Sequence, residues 1–378
     1  MPAPRVLLDA TSVPADRGGV GRYVDGLVAA LGTLGADDRL AVVCQRADAE
    51  RYGRVVPRAT VVPAPAAVAH RPPRLAWEQV GLPSVAAQVG AQVVHSPHYT
   101  MPLRAGVPVV VTLHDATFFT EAALHTSTKG TFFRSATRVS LKRAARAVVP
   151  SRATRDELVR ILDADPMRLD VVAHGVDPGT FHPPAEGDAE RVHGRLGLEG
   201  DYVAFLGTLE PRKNVPALVR GWVQAARERR DPPALVIAGG SGWDEEIDAA
   251  VAEVPDGLRL VRTGYLAARD LAGFLGGALV VAYPSFGEGF GLPVLEAMAC
   301  GTAVLTTDRL SLPEVGGDAV AYTEVDDASI ATALAALLDD PARRAVLAEA
   351  GRVRAGGFTW ERSAQGHLES WDRAASSA

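Results

Sequence analysis

LVVAYPSFGEGFGLPVLEAMACGTAVLTTD, residues 279–308, is the stretch from which the fold follows. Its first seven residues and its last seven read as apolar, β-branched strands, and a glycine loop and an apolar helix lie between them. Strands that are continuously apolar are buried on both faces, which is the mark of a βαβ unit in a parallel sheet. Pro293 is expected at the first helical position and Gly301 at the close, so Glu296 is expected in the first helical turn. Gly287, Gly289 and Gly291 leave backbone amides uncovered beside a helix N-terminus, a surface that can approach an anionic or hydroxyl-rich ligand. Glu288 and Glu296 accept hydrogen bonds without donating, and their separation suits two rings of one extended polyol. Taken alone, the spacing also fits a solvated loop residue and a glutamate that complements a helix dipole.

The same alternation of strand and helix runs through the chain, so the fold class is α/β with parallel sheets. Further strands are expected at 5–11, 40–45, 91–96, 107–115, 146–151 and 168–175, then at 202–208, 234–240 and 258–264, with helices such as 20–34 and 132–145 between them. Glycines and prolines break the pattern in HGVDPGTFHPPAEGD, residues 174–188. Two Rossmann-like lobes are therefore expected, 1–177 and 178–357, with a helical tail at 358–378 that packs back on the first lobe. Ligands of open parallel sheets bind at the carboxyl ends of the strands, so the lobes are expected to face each other across a cleft.

Composition narrows the class. No apolar run nears the roughly 18 residues that cross a bilayer, and the N-terminus shows no signal-peptide pattern, so a cytoplasmic location is expected. The two cysteines, Cys44 and Cys300, sit in apolar sequence and read as buried thiols rather than a disulfide framework. The net charge of −6 conceals an acid-free run, 122–155, that carries eight Lys and Arg residues. Arg134, Arg138 and Lys142 recur there at four-residue spacing. This face is either solvated or docks on an anionic lipid leaflet or acceptor, which would place the protein peripherally at the inner membrane face. An acidic chain without interleaved basic and aromatic residues does not suit nucleic acid.

In YVAFLGTLEPRKN, residues 202–214, Arg212 and Lys213 follow a strand end and precede a helix opened by Asn214 to Pro216. Adjacent cations at a helix N-terminus suit a diphosphate, with arginine as a fork and lysine as a point charge. GTLEPRKN, GGS at 239–241 and the stretch 279–308, together with RGGVGRY, VVVTLHD and VVPSRATRDEL in the first lobe, resemble the retaining glycosyltransferases of family 4, which have the two-lobed GT-B fold. The resemblance implies that Arg212 and Lys213 hold the donor diphosphate and that Glu296 accepts from the ribose hydroxyls. It places Glu288 and the backbone of Gly289, Phe290 and Gly291 on the transferred sugar, with Gly207 and Leu292 on the same donor surface. It also implies that no metal or other cofactor is needed, because the cations take over the neutralising role.

In the first lobe, RGGVGRY follows its strand only after the spacer SVPAD and lacks a third glycine, so it is not read as a dinucleotide fingerprint. The resemblance places Gly18, Gly19 and Gly21 on the diphosphate side, and His114, in TLHD, against the donor sugar or in support of its departure. His95 and His98 in HSPHY have a metal-like spacing without a third ligand nearby, and are expected to line the acceptor side. The expected activity is transfer of a hexose from a nucleoside diphosphate sugar to an acceptor hydroxyl with retention. The likeness of WEQVGLP, VVHSPHY and GTLEPRKN to mannosyltransferases leans toward GDP-mannose. A two-lobed epimerase and a non-catalytic sugar-nucleotide sensor are the alternatives. Acceptor and oligomeric state are not legible.

Overall fold

A computed structural model describes residues 3–13, 17–121, 124 and 127–377. Residues 14–16 of the SVPAD spacer, and 122, 123, 125 and 126 at the start of the acid-free run, lie outside the described residues. The chain forms two compact units, Met1–Gly175 with Phe358–Ala378, and Val176–Gly357.

The first unit contains a seven-stranded sheet of β1 (Val6–Asp9), β2 (Leu40–Cys44), β3 (Thr60–Pro63), β4 (Val93–Ser96), β5 (Val109–Thr112), β6 (Arg146–Val149) and β7 (Leu169–Val171), in the order β3-β2-β1-β4-β5-β6-β7. Every neighbouring pair is parallel. Alternation along the strands divides the core between the two faces. Val6, Leu8, Val42 and Val110 pack on one side with the Gly19–Thr33 and Trp360–Ala375 helices. Leu7, Ala41, Val43, Val109 and Val111 pack on the other, with Leu82, Phe118, Phe133 and Leu158. The C-terminal helix fits closely, since a Cβ on Gly26 would lie 2.3 Å from the Trp360 ring.

The second unit contains β8 (Tyr202–Leu206), β9 (Ala234–Ala238), β10 (Leu260–Gly264), β11 (Val280–Tyr283), β12 (Val304–Thr307) and β13 (Ala321–Thr323), all parallel, in the order β10-β9-β8-β11-β12-β13. Strand order reverses between β1 and β4 in the first sheet and between β8 and β11 in the second, and ligand crevices open at the carboxyl ends of such strand pairs.

One expectation is corrected. Gly291, at φ 107°, takes the N-cap, so the helix runs Leu292–Ala299 with Pro293 second, and Glu296 falls in the second turn. The shift follows from the cap: a glycine in the left-handed region begins the helix one residue before the proline.

Candidate active site

The loops after β8 and β11 flank the reversal point of the second sheet, and they are bonded together. Phe286 N donates to Arg212 O at 2.9 Å. Asn214, held at φ 58°, donates through Nδ2 to Pro284 O at 3.2 Å and to Val325 O at 2.7 Å. Backbone packing fixes the β8 loop from the other side. A Cβ on Gly239 would lie 1.9 Å from Gly207 O, and one on Gly242 would lie 1.7 Å from Leu209 O. The glycines of the 239–242 loop therefore permit an approach that no other residue allows. Ser311 Oγ shares one proton between Glu288 O at 2.7 Å and Phe290 O at 2.9 Å, which shapes the second loop.

This scaffold brings Arg212, Lys213 and Glu288 together with 9, 8 and 7 % of their surfaces exposed. Arg212 Nη1 lies 2.5 Å from Glu288 Oε2 and donates to Gly287 O at 2.7 Å. Lys213 Nζ donates to Glu288 Oε1 at 2.6 Å and to Tyr283 OH at 2.5 Å. Tyr283 OH donates to the same Oε1 at 2.9 Å, and Ser285 Oγ lies 2.8 Å from it. Burial would raise the Glu288 carboxyl, but Arg212 and Lys213 outweigh it and hold it down at about 2. Burial and the Arg212 charge pull Lys213 below its ordinary value, against Glu288 and Glu210. Burial and Glu288 push the Tyr283 phenol far up, so it keeps its proton and remains a donor. Such a pair of caged cations at a strand end can hold a multiply charged anion, provided that it competes with Glu288.

The other sequence-derived candidates are placed as follows. Gly207 directly follows β8, and Gly289, Phe290 and Gly291 lead into the helix that Leu292 opens and that carries Glu296, itself buried at 2 % exposure. In the first unit Gly18 caps the Gly19–Thr33 helix, Gly19 opens it with nothing within 4 Å of an added Cβ, and Gly21 lies in its first turn. His114 donates from Nε2 to Pro97 O at 2.7 Å, which leaves Nδ1 as its acceptor, and burial lowers its pKa.

His95 departs from expectation. It is fully buried between His367 and Trp371, with Nε2 on Thr112 Oγ1 at 2.9 Å, so it packs the core and lines no surface. His98 instead lies edge-on to Tyr99 and Phe133. Among the described residues no group of three or more His, Cys, Asp or Glu side chains could hold a metal ion. Among the described residues no helix is long and apolar enough to cross a membrane. Sequence reasoning missed Tyr283 and Ser285, which close the cage around Glu288. The available signal was a lone phenol at the end of an otherwise aliphatic strand, because a buried hydroxyl needs a partner.

Residues 17–180 match the family model described as Glycosyltransferase Family 4, and residues 188–354 match the one described as Glycosyl transferases group 1. Over 273 residues the chain is 30 % identical to the O-antigen chain mannosyltransferase B of Escherichia coli, with 71 % of each covered. It is 37 % identical over 254 residues to a D-inositol 3-phosphate glycosyltransferase of Salinispora arenicola, covering 61 % of this chain and little more than half, 55 %, of that relative. The crystal structure of HepE from Anabaena in complex with UDP and glucose shares the fold, with a TM-score of 0.75 at 18 % identity over 98 % of this chain and 99 % of that one. Fold and relatives together define a glycosyltransferase of the GT-B type. The chain belongs to glycosyltransferase family 4.

Proposed function

We propose that the chain moves a hexose, mannose from GDP-mannose, to an acceptor hydroxyl on a glycan, lipid or small molecule, with retention at the anomeric carbon. One observation carries the reading: Arg212 and Lys213 stand as a buried cation pair beside the reversal point of the second sheet. Cleavage of a glycosyl phosphate bond builds negative charge on the leaving diphosphate and positive charge on the sugar. Fixed cations in a low-dielectric site stabilise that leaving group at no cost in reorganisation. The pair fills the neutralising role that a divalent ion fills elsewhere, which supports a metal-independent reaction. Stabilisation of the departing diphosphate by these cations favours departure and attack on one face of the sugar through an ion-pair-like transition state over a covalent intermediate.

Glu296 is assigned to the ribose hydroxyls, and the Gly289–Leu292 loop with Gly207 to the rest of the donor. The neutral His114, with Nδ1 as acceptor, is assigned to a sugar hydroxyl. Mannose is supported by the mannosyltransferase relative, whereas the HepE complex holds UDP and glucose. Thermal shift with GDP, UDP, ADP, GDP-mannose and UDP-glucose tests the donor, because a ligand of the folded state raises its apparent stability. GDP and GDP-mannose are expected to give the largest rise. Absence of a rise with every nucleotide would overturn the reading. The exposed Arg138, Lys142 and Arg143 are assigned to contact with an anionic lipid surface.

A further inference from the structure

The two oxygens of Glu288 are held unequally. Oε1 meets three donors, Lys213 Nζ at 2.6 Å, Tyr283 OH at 2.9 Å and Ser285 Oγ at 2.8 Å. Ser285 Oγ has one proton and is also 3.0 Å from Arg212 O, and the ionised carboxylate is its nearest and strongest acceptor. Oε2 meets Arg212 Nη1 at 2.5 Å. A carboxylate offers about two lone-pair sites on each oxygen, so Oε1 is saturated and Oε2 keeps spare capacity.

The charges point the same way. Arg212 and Lys213 bring two positive charges and Glu288 removes one, while Glu210 sits 3.7 Å from Arg212. A diphosphate that approaches Arg212 with Glu288 still upon it sets like charges in contact inside a buried site, where they repel strongly.

We infer that Glu288 is an exchangeable internal counter-anion: the donor diphosphate takes Arg212 from Oε2, while Tyr283 and Ser285 hold Oε1 in place so that Oε2 turns to a hydroxyl of the transferred sugar. Tyr283 and Ser285 are thus positioning residues that act through Glu288. The inference rests on the reading of Arg212 and Lys213 as the diphosphate site. It explains why a carboxylate occupies a site that has to receive an anion. In the absence of donor it prevents two adjacent buried cations from standing uncompensated, and in its presence it becomes a contact for the sugar.

Isothermal titration calorimetry of the full chain with GDP and UDP, and then with GDP-mannose and UDP-glucose, reads both halves. Glu288→Gln removes the competing charge and is expected to bind the bare nucleoside diphosphate about tenfold more tightly than the parent. The extra affinity contributed by the sugar is expected to shrink in the same variant. Tyr283→Phe leaves the Arg212 pair intact, so bare nucleotide is expected to bind within about twofold of the parent while the sugar's extra affinity falls by about fivefold or more. A residue that merely supported the fold would weaken both ligands alike. Parental or weaker binding of bare nucleotide by Glu288→Gln overturns the exchange. Should that variant not fold, Tyr283→Phe decides, and equal losses for the bare and sugar-bearing nucleotides overturn it. A parent that binds neither GDP nor UDP removes the diphosphate reading itself, a result distinct from parental binding without tightening in Glu288→Gln.

Discussion

Glu288 carries a pH dependence whose sign follows from its neighbours. Burial pushes its carboxyl upward from 4.5, and Arg212 and Lys213 more than reverse this, to about 2. A carboxyl whose value is lower in the folded chain binds fewer protons there, so its stabilisation is complete above 4.5 and is lost as pH falls from 4.5 towards 2. Urea titrations at stepped pH are expected to show the parent losing more stability across that window than Glu288→Gln. Identical slopes would mean that the pair is not formed in solution. The residues of this cage differed in legibility for a physical reason. Arg212, Lys213 and Glu288 were readable because charges in glycine- and proline-rich loops after strands have no core to join. Tyr283 and Ser285 read as the end of an apolar strand, and only the fold directs their hydroxyls at one oxygen.

At the scale of elements, the Trp360–Ala375 helix is fastened through His367, whose Nδ1 donates to Ser363 O at 2.7 Å and whose Nε2 meets Tyr23 OH at 2.8 Å. Nδ1 faces a carbonyl and must carry the proton, so Nε2 accepts from Tyr23 and the ring is neutral. Burial holds His367 at about 4, below its ordinary 6.5, with His114 adding to this and Ser363 O and Asp170 opposing it. The unfolded chain takes up the proton first, so stability is complete above 6.5 and declines as pH falls from 6.5 towards 4. Amide protection factors across this helix, corrected for the intrinsic exchange rate at each pH, are expected to fall as pH falls through that window in the parent, and His367→Gln is expected to flatten the dependence. Equal acid sensitivity in both would remove His367 from the account. Packing supplies a second test, because Gly26→Ala drives a Cβ into the Trp360 ring and is expected to cost about 1 to 3 kcal/mol in a denaturant titration.

The Ser127–Arg143 helix turns part of its basic face inward. Arg134 Nη1 donates to Phe118 O at 3.2 Å, and the Arg138 guanidinium stands 5.0 Å from the Phe119 ring centre while remaining exposed. Lys142 and Arg143 are exposed as well. Sedimentation with anionic vesicles is expected to require these three residues and to weaken as salt rises, since exposed charges are screened beyond roughly 10 Å at 0.1 M salt. Binding that survives replacement of all three by glutamate would contradict the assignment.

For the whole molecule, the parallel α/β class was legible because buried strands announce themselves as continuous apolar runs. Two edge strands were not. Thr60–Pro63 is partly exposed and ends in proline, and Ala321–Thr323 has three residues, so neither shows a run long enough to read. Strand order was also hidden, because it depends on which strands pair and no local pattern records that. The order is what sets the loops after β8 and β11 side by side and turns two distant motifs into one cage. Under the proposed function, Arg212 and Lys213 stabilise a departing diphosphate. The most direct measurement is the rate at which GDP is released from GDP-mannose by the parent, Arg212→Ala and Lys213→Ala, each shown to be folded by circular dichroism. Release by the parent and a fall of roughly 100-fold or more in each variant are expected, the scale of losing one electrostatic stabiliser. A folded variant that releases GDP at the parental rate would contradict it.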